Sequence, residues 1–173
     1  MVRLETERLV LRRFRPEDEA ALFALYRDPE IPRYFPDGTR TLAETRAENE
    51  WFLDVHPHHP KLGLWATAER TSGTFLGRCG LLAWKINGTD EMELAFLISK
   101  SRWSQRRATE AARAIVQCAK ADLKRDRLIC LITPGNAASV RVAEKLGMRF
   151  ERNHTDEFGL CHVYALATAR SDA

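Results

Sequence analysis

The chain predicts an α/β fold, in the α+β sense of a mixed, mostly antiparallel sheet with helices on both faces. Three observations lead there. Three apolar-alternating segments follow one another between residues 62 and 98, joined by the turn signals Thr71-Ser72-Gly73 and Asn87-Gly88, as in an antiparallel meander. After them come a strand pattern, an amphipathic helix and a second strand pattern, an order that needs a crossover and sets the two strands parallel. At 173 residues, 45% hydrophobic and 29% charged, the chain suits one domain with one core, and no repeat, low-complexity tract or linker divides residues 1–173.

In order, Arg8 to Phe14 (RLVLRRF) alternates as a strand. Pro16 then opens a helix through Glu17, Asp18 and Glu19 to about Tyr26; proline is tolerated in a first helical turn, and acids there meet the positive end of the helix dipole. Asp28 to Gly38 (DPEIPRYFPDG) holds three prolines and reads as a loop. A second helix is expected from Thr41 to about Val55, with Leu42, Thr45, Phe52 and Val55 near one face. The meander strands fall at Leu62 to Ala68, Thr74 to Trp84 and Glu91 to Ile98. Beyond them Ala108, Ala111, Ala112, Ile115, Val116, Ala119 and Leu123 keep a helical period, with Arg113, Gln117, Lys120 and Lys124 on the opposite side. A strand at Leu128 to Ile132, the breaker Pro134-Gly135, a helix from Asn136 to Leu146 stopped by Gly147, and strands near Met148 to Arg152 and His162 to Ala167 complete the chain. Glu91 to Ile98 and Leu128 to Ile132 are the expected parallel neighbours.

Composition excludes several classes. The amino terminus interleaves charged and apolar residues, and no apolar run approaches the roughly 18 residues of a membrane span, so a soluble, cytoplasmic protein without membrane contact is expected. Cys79, Cys118, Cys130 and Cys161 are widely spaced within apolar patterns and read as reduced core thiols. The segment VHPHHP (His56, His58, His59) has two prolines and no adjacent acidic or cysteine cluster, which favours a solvated loop over a metal site. No metal is expected. Net charge is only +3, yet Lys100 to Arg127 holds nine basic against three acidic residues, a local +6. That imbalance suits an anionic partner or a solvated basic helix face. A nucleic-acid partner is not expected, because Trp103 is the one aromatic residue there to stack on a base.

The basic segment starts with a strand (ELAFLIS), a turn (KSRWSQRR) and a helix start (ATEAARA). The first amides of a helix have no internal acceptors and stand at the positive end of its dipole, so a diphosphate placed there gains several N–H bonds. Arg102, Arg106 and Arg107 would add charge. A basic turn before a helix is also common surface, and this one lacks glycine.

Over nearly its whole length the chain resembles the GNAT superfamily of acetyltransferases, in particular the branch of ribosomal-protein amino-terminal acetyltransferases and their small-molecule-modifying relatives. The marks are LETERLVLRRFRPEDEAAL, then MELAFLISKSRWSQRRATEAARAIVQCA, then NAASVRVAEKLGMRFE, in the family's order. The resemblance implies a GNAT-type sheet whose fourth and fifth strands are the parallel pair, and acetyl-CoA as acyl donor. It implies that the backbone of Gln105, Arg106, Arg107, Ala108 and Thr109 wraps the pyrophosphate, and that Phe96, Leu97 and Ile98 run beside the pantetheine arm where the parallel strands splay. The family places glycines where this chain has Ser104 and Arg106. Arg106 is therefore expected either in an ordinary helical conformation with its amide inward or narrowing the cradle.

Acetyl transfer to an amine needs a neutral nucleophile, whereas an alkylamine has a pKa near 10.4, so a carboxylate must accept its proton. Glu93 is the family-matched base; the alternative is a solvent-facing strand residue. Glu91, two residues earlier on the same face, is the reserve. A backbone amide around Leu94 to Phe96 is the implied oxyanion donor. Asn136 is an N-cap by position, and Ser139 lies in the first turn. The resemblance adds that Asn136 holds pantetheine or a water and that Ser139 bonds the departing sulfur. Where some relatives carry a tyrosine acid, this chain has Ala143. Tyr34, Phe35 and Trp51 are candidates for the acceptor pocket, with core packing as the other reading, and the turn from Asp156 to Leu160 is expected to close over the slot. The expected activity is acetyl-CoA-dependent N-acetylation of a primary amine, a protein amino terminus ahead of a small polar amine. The alternative is a non-catalytic acyl-CoA-binding or regulatory domain. Monomer and homodimer both remain open.

Overall fold

The computed structural model describes residues 3–35, 38–53, 61–125 and 127–166. Val55 and the histidine segment His56, His58 and His59 lie outside the described residues. Eight strands form one sheet: β1 (Arg3–Glu5), β2 (Leu9–Arg12), β3 (Gly63–Glu69), β4 (Phe75–Ile86), β5 (Thr89–Ile98), β6 (Ile129–Ile132), β7 (Met148–Asp156) and β8 (Gly159–Leu166). Their order is β1-β2-β3-β4-β5-β6-β8-β7. Only β5 and β6 pair in parallel; every other pair is antiparallel. The mixed sheet and its parallel pair follow the sequence reading. The pair is fifth and sixth rather than fourth and fifth because β1, too short to show a period, adds a strand at the start.

The helices are α1 (Glu19–Arg27), α2 (Leu42–Leu53), α3 (Arg107–Leu123) and α4 (Ala137–Lys145). The proline turn before α1 is fixed by Asp18, which takes two hydrogen bonds from Arg12 at 2.7 and 2.8 Å and one from the Arg15 amide at 2.9 Å. Asn87 and Gly88 both have positive φ, 50° and 80°, as the tightest β-hairpin turns require. They set β4 and β5 in unbroken register from Ile86↔Thr89 to Gly77↔Ile98. Gly77 is required there, because at its φ of 149° an added Cβ would lie 2.0 Å from the Leu97 carbonyl oxygen.

The sheet separates two cores. On one face Ala111, Ala112, Ile115 and Ala119 of α3 and Ala143 of α4 pack on Leu9, Trp65, Cys79, Leu81, Leu94 and Cys130. On the other, Leu22, Leu25 and Tyr26 of α1 and Phe52 of α2 pack on Phe14, Leu64 and Ala66. Leu94 and Phe96 belong to the α3 side, Ala95 and Leu97 to the α1 side. By strand alternation Glu91 and Glu93 therefore face α1 and α2. All four cysteines are free; Cys161 is half-buried rather than core. Among the described residues no helix is long and apolar enough to cross a membrane.

Candidate active site

The parallel strands meet at one register position, Glu93 opposite Ile129, and have no further paired position toward their carboxyl ends. Each is held from behind, β5 by β4 and β6 by β8. The result is a wedge that widens from Glu93. Backbone direction along β5 decides what lines it. Ser99 donates to the Leu76 carbonyl, and the Leu97 carbonyl abuts Gly77, so these residues turn their polar groups toward β4. The Leu94 carbonyl faces the other way and accepts from the Cys130 thiol at 3.2 Å. By the same alternation Phe96 and Ile98 present their polar groups to the wedge. Leu97, read from sequence as a third such position, instead sends its backbone to β4 and its side chain to the α1 side. The Ile98 carbonyl already accepts the Trp103 indole N–H at 2.7 Å, which ties the next loop to the end of β5.

That loop leads into α3 through two left-handed residues, Ser104 (φ 61°) and Arg106 (φ 63°, ψ 13°). Arg106 is thus not in the ordinary helical conformation that was one of its two expected states. It takes the conformation a glycine would take, at about 1–2 kcal/mol for a residue with a Cβ. The loop is held by contacts on both sides: Gln105 Nε2 donates to the Ser101 carbonyl at 3.1 Å, and Glu110 accepts from Thr6 Oγ1 at 2.5 Å, the Arg8 amide at 2.9 Å and Arg8 Nε at 2.7 Å. Arg106 supplies no side-chain cap, and the first intrahelical bond runs from the Glu110 amide to the Arg106 carbonyl. The amides of Arg107, Ala108 and Thr109 are consequently the unpaired first-turn donors. Arg107 corrects one expectation about charge. Its side chain is buried and pairs with Glu69 at 2.8 Å, so only its amide is available to an anion, while Arg106 stays exposed.

Glu93 is half-buried, and its Oε2 accepts the Trp84 indole N–H at 2.6 Å. Burial holds its carboxyl above the usual carboxylate range, opposed by the Trp84 hydrogen bond, the nearby Arg78 charge and the Leu131 amide. Glu91 is 6% exposed and spoken for: Arg127 binds it through two hydrogen bonds of 3.0 and 2.8 Å, and Arg152 approaches at 3.4 Å. The reserve base is therefore a structural ion pair. Beyond β6, Asn136 caps α4 by accepting the Ser139 amide at 3.1 Å, which commits its Oδ1 to the helix. Ser139 is half-buried, with no hydroxyl hydrogen bond among the described residues. Ala143 is fully buried under the sheet, so no general acid stands at that turn.

A family model described as acetyltransferase (GNAT) domain matches residues 8–149. The chain belongs to the GNAT acetyltransferases. It is 32% identical to the Bacillus subtilis (strain 168) protein YkkB over 154 residues, 87% of either chain. Its fold is that of a GNAT-family acetyltransferase from Bacillus anthracis (TM-score 0.81, 23% identity, 96% of this chain and 99% of that one). A ribosomal-protein-S5-alanine acetyltransferase from Vibrio fischeri shares it too (TM-score 0.77, 13% identity, 98% of each chain). The protein is an N-acetyltransferase of this family.

On the α1 side of this GNAT enzyme's sheet, the loop after α1 reaches the end of β6. Tyr34 donates its hydroxyl to the Gly135 carbonyl at 3.2 Å and accepts Thr133 Oγ1 on its own carbonyl at 2.9 Å, which joins the loop to the end of β6. Phe35 meets Tyr26 edge-on at 6.1 Å and is partly core. Trp51 is 57% exposed on α2 with its ring against Phe52, and is not brought to Tyr34 and Phe35. The β7–β8 turn runs past the end of β6, leaving Phe158 and Leu160 exposed. The residues that sequence reading missed are Trp84 and Arg78. Trp84 was legible in principle, since the Asn87-Gly88 hairpin places it diagonally across from Glu93. Arg78 was marked by being a lone charge inside the apolar run LGRCGLL.

Proposed function

We propose that this enzyme acetylates a primary amine, a protein N-terminal α-amine ahead of a small polar amine, with acetyl-CoA as donor and Glu93 as general base. The observation that carries the reading is the place of Glu93: on the acceptor face, at the last paired position before the wedge, with its carboxyl raised by burial. The donor fits the residues present. Three open amides at Arg107, Ala108 and Thr109 suit a diphosphate, exposed Arg106 adds charge, and the unpaired edge of Phe96 and Ile98 suits an amide-bearing arm. Acetyl-CoA, when bound there, supplies the activated acyl group. Glu93 takes the proton from the incoming amine, and a carboxyl raised by burial is a stronger base than an exposed one. Trp84 fixes one of its oxygens and so its direction. The Ser139 hydroxyl is the candidate donor to the departing sulfur. The likeness to an S5-alanine acetyltransferase is one of fold, so the protein-terminus acceptor is part of the proposal, as are the single-domain organisation and the cytoplasmic setting. Mass spectrometry of a peptide and metabolite library incubated with labelled acetyl-CoA tests it: label on peptide α-amines supports the reading, and label confined to side-chain or small-molecule amines overturns the acceptor assignment.

A further inference from the structure

A second charged group shares the acceptor face with Glu93. Arg78 on β4 lies opposite Leu97, whose side chain belongs to the α1 side. Its Nε donates to the Tyr26 hydroxyl at 3.0 Å, and its guanidinium stands 6.0 Å from the Tyr26 ring centre and 5.9 Å from those of Phe35 and Phe52. Burial pushes the Tyr26 phenol up to about 12, so Tyr26 remains a neutral acceptor that fixes the head group from behind. No carboxylate lies within ion-pair distance of Arg78 among the described residues; Glu48, whose charge reaches it, pairs with Arg40 at 3.6 Å. The two Nη groups likewise have no hydrogen-bond partner among the described residues, and the side chain is only half-buried. A rigid guanidinium, braced by three aromatic rings and lacking an anion, is an unused fork for a planar acid.

We propose that Arg78 recognises the acceptor: its guanidinium binds a carboxylate carried by the acceptor and thereby aims the acceptor's amine at Glu93. The inference rests on the proposed role of Glu93 and narrows the substrate class to amines bearing an acid. Arg78 and Glu93 project from the same sheet face about four residues apart along the β4–β5 ladder, a span of roughly 13 Å between backbone positions. The Arg78 charge is also felt at Glu93, so the two groups lie within electrostatic reach of each other on that face. Polycationic acceptors are disfavoured by the same geometry, since their second ammonium would meet the guanidinium.

The test compares acid-bearing acceptors with their neutral isosteres: peptides beginning with Glu against peptides beginning with Gln, and free glutamate against glutamine, which separates peptide from small-molecule sources of the carboxylate. In the unaltered enzyme kcat/KM for at least one acidic acceptor exceeds that of its isostere by about tenfold or more, mostly through KM. In Arg78→Met the ratio falls to near one, and in Arg78→Lys, which keeps the charge without the fork, it is intermediate. Because removing Arg78 also alters Glu93 for every acceptor, the ratio and not the absolute rate is the readout, and thermal melts of both variants show that they fold. A ratio near one in the unaltered enzyme, or one unchanged in Arg78→Met, overturns the proposal. If no acceptor turns over, the role of Glu93 fails instead. Calorimetric binding of the Glu-headed peptide in the presence of coenzyme A then still decides Arg78: weaker binding in Arg78→Met supports it, and equal binding overturns it.

Discussion

Glu91 and Glu93 stand two residues apart on one face of β5, and the molecule treats them oppositely. Glu91 lies on the amino-terminal side of the one paired position of β5 and β6, 6% exposed, bound by Arg127 and Arg152, with Glu151 completing the charge cluster at 2.9 Å from Arg127. Glu93 sits at that paired position, beyond which the strands part, with the Trp84 indole N–H as its side-chain partner and burial acting against its charge. One carboxylate is locked in an ion-pair cluster with Arg127 just before β6, and the other stands without a cation partner among the described residues at the start of the wedge. Residue type and spacing do not distinguish them; the cations delivered by distant chain segments do.

The largest expected effect separates them by rate. Glu93→Gln keeps the acceptor for the Trp84 indole but cannot take a proton, so kcat at pH 7 falls about 100-fold or more, read by release of free thiol. At pH 9 the loss shrinks, because more of the amine is already neutral. Next is stability. Glu91→Gln leaves Arg127 and Arg152 without their shared charge. Breaking a buried pair costs about 3–5 kcal/mol, and since both arginines are about one-third exposed, roughly 2 kcal/mol is expected here in denaturant unfolding. Its effect on kcat stays well below that of Glu93→Gln.

The thermal melts of the two variants should then move in opposite directions. A carboxyl whose folded pKa lies above its unfolded value disfavours folding once the pH exceeds the unfolded value, most fully above the folded one. Glu93→Gln removes that cost, so its Tm at pH 7 rises above that of the unaltered enzyme, and the difference vanishes as the pH drops below the ordinary carboxylate range. The smallest effect belongs to the cradle. Ser104→Gly relieves a left-handed residue but frees the unfolded chain, for a net gain of about 0.5 kcal/mol by thermal melt.

What the sequence revealed was local. Alternation marked β3, β4 and β5, Asn87-Gly88 marked their hairpin, the change of period after Ile98 marked α3, and the order strand-helix-strand marked the parallel pair. The open amides of the first turn of α3 were legible once that crossover was in place, whereas Glu93 as a base was indicated by the family resemblance. What stayed hidden depends on partners remote in the chain. Glu91 is neutralised by residues 36 and 61 positions away, and Arg107 turns inward to Glu69. Trp51 lies on the outer side of its helix because Phe52 takes the core position. The left-handed Ser104 and Arg106 were not foreseeable from residue type, since neither is glycine; contacts at Trp103, Gln105 and Glu110 impose that conformation from outside the turn.

The most direct measurement of the central claim is kcat as a function of pH for the unaltered enzyme and Glu93→Gln with the same primary amine. A general base at Glu93 gives an acid limb above the usual carboxylate range in the first and none in the second, with the two curves converging as the amine deprotonates. Superimposable profiles of equal height would contradict it.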